Sequence, residues 1–235
     1  MYVPEHFTYD AGRLGALLHR VGAGDLVTNG PDGLEATFLP WSLDPTAGEH
    51  GVLRSHMARV NPQWHDQGPA LVILHGPDDY IDPSDHEAPG QVPTWNYITM
   101  HVRGTLLAHE DPEWIIGSLG ELVAAQPTGW TMAELSPERL SGMVAAIVGV
   151  ELRITSITGK AKMSQNRPSS DIDALADALE ARRTQDEEPR YPRPSMQAVE
   201  YLRGPSREHA LAREQAVERA RTAKKSGKKP GRTIG

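Results

Sequence analysis

Asp25-Leu26-Val27-Thr28-Asn29, the turn Gly30-Pro31-Asp32-Gly33 and the alternating run from Leu34 to Trp41 decide the fold class of this chain. Glycine and aspartate supply the turn conformations and the flanks are rich in β-prone residues, so the stretch predicts a β-hairpin. Working outward, Asp10 followed by Leu14, Leu17, Leu18 and Val21 predicts a capped amphipathic helix of about three turns. On the other side, strands are expected over 51–57 and 69–75, and a long one over 97–107. Together these make a mostly antiparallel β unit. Asp111-Pro112-Glu113 and Ser136-Pro137-Glu138 both carry helix-start chemistry, an acid or hydroxyl cap followed by proline in the first turn. The first of these helices is expected to reach about Ala125. The Val, Ile and Ala of 142–158 predict a strand pair or one long strand, and Ser170-Asp171 predicts a helix to Arg183.

Composition narrows the function classes. The chain has 235 residues with 38% hydrophobic content, enough for a core, and no cysteine, which removes disulfides, thiolate metal sites and cysteine nucleophiles. No apolar stretch approaches the roughly twenty residues of a membrane span, and the N-terminus lacks signal-peptide order. These point to a cytoplasmic protein without membrane contact. The net charge of −7 is unevenly placed: from Arg190 onward there are 12 Lys and Arg against 4 Asp and Glu. The body is therefore acidic and repels phosphate backbones, while the tail is basic. Residues 184–195 combine charge with proline and predict a linker. Beyond them, 196–235 is expected to be a basic helical or disordered tail, with one helix over 206–223 that buries little because its apolar positions are mostly alanine.

Three polar-aromatic runs carry the chemistry. Asn61-Pro62-Gln63-Trp64 follows a strand containing His56, and the Asn-Pro step favours an extended or turning backbone that puts Gln63 and Trp64 in a rim loop. Val92-Pro93-Thr94-Trp95-Asn96-Tyr97 enters the long strand. Period-two geometry there sets Asn96, Ile98, Met100 and Val102 on one face and Tyr97, Thr99, His101 and Arg103 on the other. That second, polar face is a dimer interface, a ligand wall or a solvated side. In Lys162-Met163-Ser164-Gln165-Asn166-Arg167 two cations flank a Ser-Gln-Asn turn beside a helix start, which suits a phosphate or carboxylate.

With the opening Met1-Tyr2-Val3-Pro4-Glu5-His6-Phe7 and the turn Tyr80-Ile81-Asp82-Pro83-Ser84, these runs resemble the PaiB family, described as FMN-binding negative transcriptional regulators with a split β-barrel fold. The resemblance covers the first four-fifths of the chain. It implies an α+β, mainly β split barrel with peripheral helices over 1–183, a homodimer, and FMN or a related planar anionic ligand. The implied cofactor-binding residues are His56, Asn61, Gln63, Trp64, His65, Trp95, Asn96, His101, Lys162, Gln165, Asn166 and Arg167, with the anionic end on Lys162 and Arg167. The chain departs from the family where relatives carry an aromatic pair after the proline-serine turn and a basic residue after the first run. It has Asp85-His86 and His65 there.

Ten histidines raise a metal reading. No pair has the i, i+4 spacing of a zinc protease. Haem b is the alternative cofactor, since a histidine on an apolar wall can ligate iron while Lys and Arg hold the propionates. The haem-dependent piperazate synthases look like relatives of the PaiB family, and with them comes the alternative of an enzyme acting on a small metabolite. His65 is then the first candidate ligand and His56 the second. Contact of the Lys-rich C-terminus with DNA is the remaining partner expectation.

Overall fold

The computed structural model describes residues 1–87, 89–125, 129–183 and 195–225. Its strands are β1 (Thr8–Tyr9), β2 (Ala23–Gly30), β3 (Gly33–Pro40), β4 (Ser42–Asp44), β5 (Val52–Ala58), β6 (Gly68–Ile81), β7 (Thr94–His109) and β8 (Ile147–Lys162). The helices are α1 (Leu14–Val21), α2 (Pro112–Ala124), α3 (Pro137–Ala145), α4 (Ser169–Arg183), α5 (Met196–Tyr201) and α6 (Arg207–Lys225). One eight-stranded sheet runs in the order β3-β2-β6-β7-β8-β5-β4, with β1 added antiparallel to β8. No described helix is long and apolar enough to cross a membrane.

The hairpin forms as its turn chemistry dictates. Gly30 pairs with Gly33, leaving Pro31-Asp32 as a two-residue loop, and Gly33 takes φ 108° where a side chain would be strained. Asp10 caps a short 3-10 turn that leads into α1, which ends at Gly22 in the left-handed conformation. Asp111 and Ser136 cap α2 and α3 through side-chain oxygens, as their sequences indicate.

Three expectations fail, each for a local reason. Residues Gly142 to Ala145 belong to α3, because a helix begun by Ser136-Pro137-Glu138 propagates at little cost until Ala146; β8 starts only at Ile147. β6 runs past Gly76-Pro77 to Ile81, so this proline does not end the strand. The segment after 195 is helical and far from bare: Val199, Leu202 and Ala210 are fully buried with Ile172, Leu175 and Leu179 of α4. Around Pro205 the chain forms a π-helical turn over Leu202–Ser206 that joins α5 to α6. Of the linker expected over 184–195 all but Ser195, and the basic residues from 226 on, lie outside the described residues.

Contacts divide the chain into two compact units. The first comprises 1–3, 8–76 and 99–160; the second comprises 4–7, 77–98 and 161 onward. The core of the first joins Leu14, Leu17 and Leu18 of α1 to the inward residues of the strands, among them Leu26, Trp41, Leu53, Val72, Met100, Val102 and Val150. Gly149 of β8 lies under the Trp114 ring of α2, where a Cβ would come within 2.3 Å of a ring carbon. The second unit has its own core, Ile81 with the apolar faces of α4, α5 and α6.

Candidate functional site

The residues singled out from the sequence fall into the two units. In the first, Asn61 caps a 3-10 turn over Pro62–His65: its Oδ1 accepts from the Gln63 amide at 3.0 Å and its Nδ2 donates to Thr37 at 3.1 Å. Gln63 is buried, and its side-chain amide donates to Leu26 O at 3.1 Å, Thr28 Oγ1 at 3.1 Å and Glu35 O at 3.2 Å. It pins the turn to the hairpin, so its donors are consumed by the fold. Thr28 in turn donates to Asp66 at 2.9 Å. The Trp64 indole packs against the core and donates to Arg59 O at 3.0 Å. His65 is exposed, its ring 3.5 Å from that indole, centroid to centroid, at 32°.

His56 and His101 lie on β5 and β7 of the first unit. His56 on β5 is half-buried opposite Gly149, and burial holds its imidazole below the ordinary range, which keeps it neutral at pH 7. His101 lies on the polar side of β7, whose other side, Asn96, Ile98, Met100 and Val102, is buried as the alternation requires. Burial depresses the His101 pKa first, with the N-terminal ammonium, Arg103 and His75 adding repulsion. The Nδ1 atoms of both rings are buried without a hydrogen-bond partner among the described residues. A cleft of about 700 Å³ in this unit is lined by Leu18, Trp41, Ser42, Asp44 and Glu121, with none of the residues singled out from the sequence.

The second unit holds the other two runs and ties them together. Lys162 Nζ donates to Trp95 O at 2.6 Å and to Thr94 Oγ1. Asn96 and Ser164 exchange hydrogen bonds at 3.0 and 3.1 Å, both side chains buried. Gln165 folds back on its own loop: its oxygen accepts from Met163 N at 2.7 Å and its amide donates to Ala161 O at 2.5 Å. Ser164 has φ 60°, and it alone among the described non-glycine residues has a positive φ. A left-handed residue persists only where its surroundings over-determine it, and these hydrogen bonds do so.

In this loop Asn166 is exposed and Arg167 is half-buried. Among the described residues no hydrogen bond or ion pair engages the Arg167 guanidinium; its carbonyl accepts from Arg213 at 2.7 Å. Trp95 is 39% exposed, its indole donates to Asp78 at 2.8 Å, and its ring lies 6.0 Å from that of Tyr80. The arrangement therefore offers a free guanidinium, a primary amide and an accessible aromatic face on neighbouring backbone, which fits an anionic ligand with a flat ring.

Other residues of this unit escaped the sequence reading. His86 Nδ1 lies 2.8 Å from Asp171 Oδ2, with side chains only 1% and 3% exposed, and the same carboxylate accepts from the Glu87 amide at 3.0 Å. Asp85 pairs with Arg182 at 3.2 Å. The residues that depart from the family pattern thus strap 82–87 along α4, and that departure was the available signal. Nearby Asp79 is 5% exposed with an unpartnered oxygen, and burial raises its pKa to about 6 against the pull of Arg182.

The strand order and helices place the fold in the α+β class, as a split β-barrel with peripheral helices. The family described as "Putative FMN-binding domain" matches residues 1–156, and the chain belongs to that family. It is 29% identical over 189 residues to the protease synthase and sporulation protein PAI 2 of Bacillus subtilis, covering 77% of this chain and 89% of that protein. Among solved structures, a conserved hypothetical protein of Mycobacterium tuberculosis is similar with a TM-score of 0.52 and 13% identity, over 72% of this chain and 94% of that one. The FAD and heme binding protein of Mycobacterium smegmatis is similar with a TM-score of 0.50 and 16% identity, over 67% of this chain and 74% of that one.

Proposed function

We propose that the protein binds FMN or a closely related planar anionic ligand, with the phosphate on the 162–167 loop of the second unit. Arg167 and Asn166 contact it, while Lys162, Gln165 and Asn96 hold the loop and the adjoining strand, and Trp95 offers the ring a face. The observation that carries this is the pairing of a strained, internally satisfied loop with one unengaged guanidinium. Bound FMN would supply electron transfer at its isoalloxazine ring. The chain's own part is to fix the anionic end and desolvate the ring. On this reading the protein is a homodimer whose polar β7 face, with His101 and Arg103, lies toward a second copy. Any influence on transcription is then ligand-sensing or indirect, and DNA contact is confined to the basic C-terminus, because the acidic body repels phosphate.

Fluorescence titration tests the reading. FMN should bind saturably and more tightly than riboflavin, which lacks the phosphate; equal affinities for the two would overturn the phosphate assignment.

A second reading, a haem- or flavin-dependent enzyme acting on a small metabolite, is favoured in its haem form by two observations. His65 is exposed with an imidazole that no described residue hydrogen-bonds, and a structural relative is a FAD and heme binding protein. A Soret band in the purified protein that disappears in His65→Ala supports it, with His56→Ala as the next variant. Flavin bands kept in His65→Ala without any Soret band exclude it.

A further inference from the structure

We infer that α6 and the π-helical turn that leads into it are the positioning element of the Arg167 loop, acting through Ser206, Arg213 and Glu214; the inference rests on the loop's proposed role as the phosphate grip. Ser206, the last residue of the π-helical turn, donates to Met163 O at 2.7 Å and is fully buried. Seven residues on, Arg213 donates to Arg167 O at 2.7 Å. Next to it, the Glu214 carboxylate accepts from Ser169 N and Ser169 Oγ, both at 2.8 Å. A spacing of seven is two helical turns, so Ser206 and Arg213 lie on one face of this helical segment.

The three contacts fall before, at and after the unengaged guanidinium. Met163 precedes the left-handed Ser164, the Arg167 amide closes the turn by donating to Ser164 O at 2.9 Å while its carbonyl takes the Arg213 hydrogen bond, and Ser169 is the first residue of α4. A backbone tied on both flanks gives Arg167 one point of departure, and a fixed cation holds a phosphate better than a wandering one because less ordering remains to be done on binding. Glu214 stays ionised: the Ser169 amide and hydroxyl hold its pKa below the ordinary range, and Arg213 and Arg207 reinforce that. A parallel row of ion pairs, Arg207 to Asp173 at 2.8 Å and Arg203 to Asp177 and Glu180 at 2.8 and 2.5 Å, keeps the segment against α4.

A helix that served stability alone would affect both flavins alike. The test is fluorescence titration of the full chain and its Arg167→Ala, Arg213→Ala, Glu214→Ala and Glu214→Gln variants with FMN and with riboflavin. Expected is a loss of about tenfold in FMN affinity for Glu214→Ala and Arg213→Ala with riboflavin unchanged, and partial recovery in Glu214→Gln, whose amide oxygen can still accept one Ser169 hydrogen bond. If Arg167→Ala discriminates between the flavins while Glu214→Ala and Arg213→Ala do not, the positioning role is wrong. If Arg167→Ala itself does not discriminate, the phosphate reading has failed instead. Should Glu214→Ala not fold, Glu214→Gln and Arg213→Ala carry the test with the same opposing outcomes: selective weakening of FMN, or no selectivity.

Discussion

The turn after β5 and the loop after β8 are both built from amides beside a cation or an aromatic ring, yet they spend those groups differently. In the first unit Gln63 drives its amide into the hairpin, and the turn closes with Trp64 on the core. In the second unit Gln165 and Ser164 satisfy the loop itself, and the half-buried Arg167 guanidinium is engaged by none of the described residues. A polar run can thus be distinctive because it holds backbone in place. On the proposed reading, the ligand-facing residue is the one whose own hydrogen bonds the fold does not claim.

Four experiments break or sharpen this contrast. The largest effect on stability is expected from Gln63→Ala, which removes the buried amide that donates to Leu26 O, Thr28 Oγ1 and Glu35 O; urea denaturation should show a loss of about 2–4 kcal/mol. A change within about 0.5 kcal/mol would mean that the turn does not depend on that amide. Arg167→Ala should do the reverse, leaving stability within about 0.5 kcal/mol while weakening FMN by about tenfold or more, the cost of a charge-assisted hydrogen bond.

Asp79 supplies a pH test confined to the second unit. Its folded pKa of about 6 lies above the ordinary 3.8, so the protonated form is the one the fold favours. The stabilisation is present in full below about pH 4 and is lost as pH rises through about 6. Asp79→Asn should accordingly raise stability at pH 8 by roughly 2 kcal/mol and flatten the dependence between pH 4 and 6. An unchanged slope across that window would remove Asp79 from the account. The smallest effect concerns nucleic acid. Ending the chain after Lys225 removes Lys228, Lys229 and Arg232, so the salt dependence of any DNA binding should become shallower by about three counterions' worth of slope. A slope that does not change excludes the terminal residues as the contact.

Much of the fold was legible because local signals and tertiary structure agree. The Gly-Pro-Asp-Gly turn, the Asp-Pro-Glu and Ser-Pro-Glu starts and the β7 alternation all form as their chemistry indicates. The rest depends on partners distant in sequence. Nothing in Gln63 itself says whether its amide meets a ligand or Leu26 O, 37 residues away. The segment after 195 looks solvated until Val199 of α5, Leu202 of the π-helical turn and Ala210 of α6 are seen against α4. The strand expected over 69–75 continues through Pro77 to Ile81. Of the proposed site, the 162–167 loop stands out in the sequence by its two cations. The division of labour within it does not, because Lys162 is drawn to Trp95 O and Thr94 while Arg167 is left out.

The central claim is most directly tested by titrating the purified, flavin-free protein with FMN and riboflavin while following flavin fluorescence. The account predicts saturable FMN binding in the micromolar range or tighter, with a preference of about tenfold or more over riboflavin that Arg167→Ala abolishes. Absence of saturable FMN binding, or a preference that survives intact in Arg167→Ala, would contradict it.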